Sequence, residues 1–305
     1  MQTMYRRRGW MVCALLLASA LARAQPEFDA VQIRTVPVAE GLYMLVGEGG
    51  NLGVSTGPDG VWVIDDQYAP LSPKLLAAIA ALDRGPLRAV INTHWHLDHT
   101  GGNQNFGAAG ALLVAHGNAR TRLAAGQTIP FLERSIAPAA AAALPELTFS
   151  ESLQLHVNGE DIDVRHAPRA HTDGDLLVHF PRANAWHLGD VYFAGMYPFI
   201  DGSSGGSVGG VVAALDAVLA QSDQATRIIP GHGPLSDRSE LQDWRAMLAT
   251  IAARVESAVR AGETREAVIA AKPTADFDAR YGAGFVAPDR FAGMLYDLLA
   301  TPEQP

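Results

Sequence analysis

The segment Thr93-His94-Trp95-His96-Leu97-Asp98-His99-Thr100-Gly101-Gly102 places three imidazoles and one carboxylate within six positions. Imidazole and carboxylate suit a borderline divalent cation such as zinc. In extended chain, residues two apart project the same way, so His94 and His96 can reach one ion together. The chain then tightens toward Gly101-Gly102 and turns Asp98 and His99 toward a second ion. The pattern differs from H-E-x-x-H, where helical spacing pairs the histidines. One loop cannot close two sites, so further ligands must come from elsewhere. His171 in Ala170-His171-Thr172-Asp173-Gly174, Asp190 in Leu188-Gly189-Asp190, and His232 in Pro230-Gly231-His232-Gly233 are the candidates. Each has a glycine or turn nearby, as close approach to an ion requires.

The elements that must position these residues are legible as alternating strands and helices. Gly41 to Asp66 reads as strands joined by Gly47-Glu48-Gly49-Gly50 and Gly57-Pro58-Asp59-Gly60, whose residues suit turn backbones. Ser72 to Leu82 reads as an amphipathic helix, with Pro73 in its first turn. Arg88 to Thr93 is a short buried-type strand running into the metal motif. Further strands are expected at Leu112–Ala115, Leu153–Val157, Asp161–His166, Asp175–Phe180, Asn184–Leu188 and Arg227–Ile229, with helices around Gly117–Ala125 and Val208–Leu219. The alternation predicts an α/β sandwich of mixed sheets. After Ser236, Leu241, Trp244, Leu248, Ile251, Val255 and Val259 recur at helical steps. Asp237 and Glu240 resemble a capping box, and Gly262 a stop. Shorter helices are expected at Arg265–Ala271 and Pro288–Ala300, so residues 236–301 form a helical cover.

With these residues in view, the chain resembles the metallo-β-lactamase-fold hydrolase superfamily. An H-x-H-x-D-H loop, a lone His, a bridging Asp and a His in a P-G-H-G turn follow in that order over roughly residues 38–235. The resemblance implies an αββα sandwich of two mixed β-sheets flanked by helices, with the site at one edge. It implies His94, His96 and His171 on one ion, Asp98, His99 and His232 on the other, and Asp190 bridging both. Two divalent ions, by default Zn2+, are the implied cofactors. Asp190 separates the chain from the B1 lactamases, which carry Cys there, and from the B3 type, which generally lacks a bridging Asp. Asp98 is the implied catalytic residue, orienting a bridging hydroxide that attacks an ester, lactone, thioester or amide carbonyl. In related proteins an acid placed like Asp65 supports the metal loop by hydrogen bonding; a turn-forming Asp beside Asp66 is the alternative. Tyr197 and Phe199 are candidate pocket walls, with Asp201 and Ser203–Gly210 bounding the pocket and Gly47–Asn51 a flap; ordinary packing is the alternative for each. The remaining histidines (His116, His156, His166, His179, His187) read as structural.

Composition narrows the classes. The 305 residues are 48% apolar and 18% charged, an ordinary globular balance. Arg6, Arg7 and Arg8, an apolar run from Trp10 to Ala22, and Ala22-Arg23-Ala24 match a cleavable signal peptide over residues 1–24, leaving 25–305 as the hydrolase domain. The apolar run is short for a membrane span, for which about 18 or more residues are wanted, so no stable membrane insertion is expected after cleavage. Export to the periplasm is the corresponding expectation. Cleavage removes Arg6, Arg7, Arg8 and Arg23 and no acid, taking the formal charge from −9 to −13. No Lys/Arg cluster follows, which disfavours nucleic-acid binding and points to a small-molecule substrate. The only cysteine, Cys13, lies in the signal, so no thiolate serves the mature site. Export and the absence of a basic glutathione-binding set disfavour glyoxalase II, and the full dinuclear set disfavours the persulfide dioxygenases. Turnover of β-lactams is the alternative reaction. A periplasmic binding or assembly protein holding metal without turnover is the non-enzymatic alternative. Oligomeric state is not encoded legibly.

Overall fold

A computed structural model describes residues 28–83 and 85–301, so the signal-peptide reading lies outside the described residues. The first sheet has seven strands: β1 (Arg34–Ala39), β2 (Leu42–Val46), β3 (Leu52–Ser55), β4 (Val61–Ile64), β5 (Leu87–Ile91), β6 (Leu112–His116) and, beyond a small hairpin of β7 (Gln127–Ile129) and β8 (Arg134–Ile136), β9 (Leu147–Phe149). They lie in that order, β1 to β4 antiparallel and β4 to β9 parallel. The second sheet runs β10 (Ser152–Val157), β11 (Glu160–Ala167), β12 (Asp175–Phe180), β13 (Ala185–His187), β14 (Arg227–Ile229) and β15 (Ser236–Asp237), antiparallel except for β13 on β14.

Strand periodicity explains the layering. Side chains alternate across a strand. Ala89 and Ile91 of β5 meet Leu176 and Val178 of β12 between the sheets, with Ile64, Val114, Ile162 and Val164. The intervening Val90 turns outward onto Leu75 and Ile79 of the helix Ser72–Leu82. Leu177 faces away on the other side, into a core shared with the helices Val208–Ala220 and Arg238–Arg260. The central strands of each sheet are therefore buried on both faces, which is why several read as unbroken apolar runs, whereas the edge strand β10 alternates with solvent. The expected αββα sandwich of mixed sheets is the fold.

The cover follows the sequence signals with one difference. Asp237 caps the long helix by accepting from Glu240 N at 3.0 Å. Glu240 does not close the capping box on Asp237; its Oε2 accepts instead from Ser236 Oγ at 2.7 Å, and Ser236 Oγ also meets the Tyr192 hydroxyl. Trp244 is buried, crosses Tyr192 edge to face at 5.4 Å, and donates its indole N–H to Met196 O at 2.8 Å. These contacts fasten the cover to the segment that follows Asp190. Among the described residues no helix is long and apolar enough to cross a membrane.

Candidate metal centre

The seven candidate ligands lie at one edge of the sandwich, on the segments that connect its strands. The loop after β5 carries His94 and His96 and leads into a one-turn helix, Leu97–Thr100, that carries Asp98 and His99; the segment before β12 carries His171, a 3-10 turn, Gly189–Val191, after β13 carries Asp190, and the turn after β14 carries His232. Leu176 N donates to Thr93 O at 2.8 Å, joining the sheets beside the site. Phe193 pairs with His232 as an isolated parallel bridge, and Ala194 N donates to His232 O. Gly231 is required by proximity, because a Cβ there would sit 2.1 Å from Asp190 Oδ1. Gly50 is required likewise, since its Cβ would enter the His99 ring.

The side chains form two groups that could each hold an ion: His94, His96, His171 and Asp190; and Asp98, His99, Asp190 and His232. In the first, His96 Nδ1 lies 3.1 Å from His94 Nε2 and 2.9 Å from His171 Nε2, and Asp190 Oδ2 lies 3.8 and 3.6 Å from those two Nε2 atoms. In the second, His99 Nε2 lies 3.0 Å from Asp190 Oδ1 and 3.4 Å from His232 Nε2, and His232 Nε2 lies 3.2 Å from Asp98 Oδ2. Donors about 2.0–2.2 Å from a tetrahedral zinc lie about 3.3 Å from one another, so both groups match its spacing.

The far ring nitrogens fix which atoms carry protons. His171 Nδ1 donates to Phe199 O at 2.8 Å, His96 Nε2 to Asp201 Oδ2 at 3.1 Å, and His99 Nδ1 to Asp65 Oδ2 at 2.7 Å. All three partners only accept, so each inward nitrogen of a neutral ring presents a lone pair. Lone pairs 2.9 Å apart repel unless a cation or a proton lies between them. Asp190 Oδ1 is buried and has no hydrogen-bond partner, as expected of an oxygen reserved for an ion. The donor set and its surroundings therefore fit divalent cations.

Protons compete for the same positions. Burial pushes His99 down, but Asp190, Asp98 and Asp65 outweigh it and hold its pKa well above the usual value. His232 opposes burial in the same way and is raised to about 9, chiefly by Asp190 and then Asp98. Burial also works against charge on Asp98 and Asp190, yet His99 and His232 hold both carboxyls below their ordinary range. At the other group burial dominates, with further lowering from neighbouring imidazoles. It takes His171 to about 4 and holds His94 well below its usual value.

Asp65 adopts a left-handed backbone, φ 61°, at the end of β4. Its carboxylate accepts from Thr93 N at 2.6 Å, Thr93 Oγ1 at 2.8 Å and His99 Nδ1 at 2.7 Å. Thr93 Oγ1 in turn meets His94 Nδ1 at 3.0 Å. Asp66 accepts from Gly102 N at 2.8 Å; burial, and then Asp65, hold its pKa well above the normal carboxyl value.

A cleft of 720 Å³ opens over Asp98, His96, Asp190 and His232. Phe199 lines it, stacked 5.8 Å from His96. Tyr197 does not line it. It is fully buried, its hydroxyl donates to Asp278 Oδ1 at 2.8 Å and Thr274 O at 3.2 Å, and its ring stacks on Phe291 at 4.6 Å. Phe199 and Tyr197 thus take different surroundings although only two residues apart, and Tyr197 anchors the cover. The Gly47–Asn51 turn is tied down rather than free to fold over the cleft: Asn51 Nδ2 donates to Pro230 O and Gly233 O, and Gly50 N to Asp98 O. Only Glu48 of that turn lines the cleft. Asp201 orients His96 instead of bounding the cleft, and Ser203, Gly205, Gly206 and Ser207 line a neighbouring cavity of 930 Å³. His187 is buried between Asn51 O and Gly189 N, apart from both ligand groups.

Several cleft residues carry no sequence signal. Ile129, Leu132, Glu133, Arg134 and Ile136 come from the β7–β8 hairpin, Tyr68 from the loop after β4, and Phe285 and Arg290 from the cover. Asp201 reads from the sequence as a pocket boundary; its hold on His96 carries no signal beyond Asp-Gly-Ser-Ser, a capping sequence in which its side chain accepts from Ser204 N.

Residues 43–235 match the family model of the metallo-beta-lactamase superfamily. The chain belongs to that superfamily, a family of hydrolases. No curated protein sequence matches it. Among solved structures it is similar to a metallo-beta-lactamase from Pontibacter korlensis, with TM-score 0.58 and 17% identity over 72% of this chain and 99% of the other. It is also similar to the inverting sec-alkylsulfatase Pisa1 from Pseudomonas sp., with TM-score 0.68 and 17% identity over 87% of this chain and 50% of the other. The DIM-1 metallo-beta-lactamase aligns with TM-score 0.56 at 18% identity, covering 72% and 99%.

Proposed function

We propose that the protein is an exported hydrolase with two divalent ions, Zn2+ by default, that adds water across an ester, lactone, thioester or amide bond of a small molecule. The observation that carries the reading is Asp190, whose two oxygens each face a different cluster of imidazole lone pairs. His94, His96 and His171 would hold one ion, and Asp98, His99 and His232 the other, with Asp190 shared. Bound there, such ions would lower the pKa of water toward about 7 and polarise a carbonyl oxygen.

The chain's own residues do the rest. Asp98 lines the cleft with its side chain 24% exposed, and it orients the attacking water and takes up its proton. Water oxygen joins the carbonyl carbon, the bond to the leaving group breaks, and that proton passes to the leaving group. Asp65, Asp201 and Phe199 O hold three imidazoles in the tautomers that aim lone pairs inward. Phe199 and the hairpin restrict water around the reacting bond.

Metal analysis combined with a panel of nitrocefin, lactones, thioesters, phosphodiesters and alkyl sulfates tests the reading. Two ions per chain with turnover of a carbonyl substrate, lost in folded Asp190→Ala and His96→Ala proteins, is the expected result. Wild-type rates in both variants would overturn it. Exclusive turnover of nitrocefin would assign β-lactams, and two ions with no turnover of any class would favour a binding protein.

A further inference from the structure

We infer that the cover builds an apolar subsite at the His232 end of the cleft, centred on Phe285, and that the substrate carries a hydrophobic substituent seated there. This rests on the hydrolase reading and names the chemistry of its substrate. Phe285 is 53% exposed, the highest value among the exposed large apolar residues in the described chain. Leu97, 38% exposed, lines the same cleft from the metal loop. Leu132 and Ile136 of the β7–β8 hairpin add partly buried apolar surface. Single exposed apolar residues need no explanation, but several facing one cavity do.

The position of Phe285 is fixed by its neighbours. Val286 is fully buried. Gly284 presses against Met196, where a Cβ would come 2.6 Å from Met196 Cβ. The backbone is thus held on the core on both sides while the Phe285 ring stays out. That ring lies 6.2 Å from Phe193 and 6.5 Å from His232, and Phe193 stacks on His232 at 5.3 Å. Behind the cleft wall the buried Phe193 ring therefore links a candidate ligand to Phe285. Arg290, the cation that the cover adds, is engaged with Phe131 O and lies over the Phe131 ring at 4.4 Å. Phe285 falls outside residues 43–235, so the centre of the subsite comes from this chain's own C-terminal part, set against Leu97, Leu132 and Ile136 of the family segment.

The test is calorimetric titration of zinc-loaded protein with straight-chain hydroxamates from acetohydroxamate to octanohydroxamate. The hydroxamate group reports on the ions and the chain on the subsite. In wild type, affinity is expected to rise by up to about fourfold per methylene, the gain of burying one such group. Phe285→Ala should flatten that slope to about half or less, and Phe285→Leu should retain most of it, because both keep or remove area in proportion. Thermal melting checks that each variant is folded. A wild-type slope of zero, or an equal slope in Phe285→Ala, overturns the subsite. Failure of every member to bind, acetohydroxamate included, instead removes the metal centre and the subsite with it.

Discussion

Replacing Asp65 by Asn is the sharpest probe of how the centre is held. The carboxylate accepts from Thr93 N, Thr93 Oγ1 and His99 Nδ1 at 2.6, 2.8 and 2.7 Å. A carboxamide has one accepting oxygen and one donating nitrogen. If its oxygen stays on Thr93 N, its NH2 meets His99 Nδ1–H, donor against donor. If it flips, the NH2 meets Thr93 N–H instead. The first arrangement is relieved when His99 moves its proton to Nε2, which removes the lone pair aimed at Asp190 and His232. Loss of a hydrogen bond to a charged group costs about 1.5–3 kcal/mol, or roughly 10–100-fold in affinity, the range typical of partners behind metal ligands. Zinc competition with a chromophoric chelator should therefore show one weakened site in Asp65→Asn and a lesser change at the other. Wild-type affinity at both sites, in a folded variant, would refute the argument that Asp65 selects the His99 tautomer.

Other outcomes follow from the same geometry. Because His232 in the metal-free protein is raised to about 9, it must shed a proton to become a ligand. Zinc affinity at its site should climb with pH up to that value, read by competition titration between pH 6.5 and 9.5. The same group, raised above its unfolded pKa, stabilises the metal-free fold fully below about pH 6.5 and not above about pH 9. Loss of this contribution should thus lower the metal-free melting temperature as pH rises across that window. In Asp201→Asn, His96 Nε2 loses its carboxylate partner, and the site containing His171 should weaken by about tenfold while the other changes little. Trp244→Ala removes a buried ring and an indole hydrogen bond, and should cost about 3–5 kcal/mol in urea unfolding with an unchanged slope.

The sequence carried the fold and the ligands because both depend on local pattern. Strands β12 and β14 and the helix at Pro288 lie at the bounds read from the residues. The ligand loops announce themselves through His, Asp and Gly in short order. What stayed hidden was set by contacts across long stretches of chain. Tyr197 and Phe199 are two residues apart with similar aromatic character, yet one is claimed by Asp278 and Phe291 and the other by the cleft. Gly47–Asn51 has a flap's composition, but Asn51 is held by carbonyls about 180 residues away. The hairpin strands of three residues each are too short to show a period. Phe285 sits where no motif exists, and its exposure emerges only once Val286 and Gly284 have been packed.

Asp190 gives one oxygen to each cluster from a single planar carboxylate. Were both positions to hold cations, the angle of this one group would couple them: an ion in either position would change the affinity of the other, and by the same factor whichever is filled first.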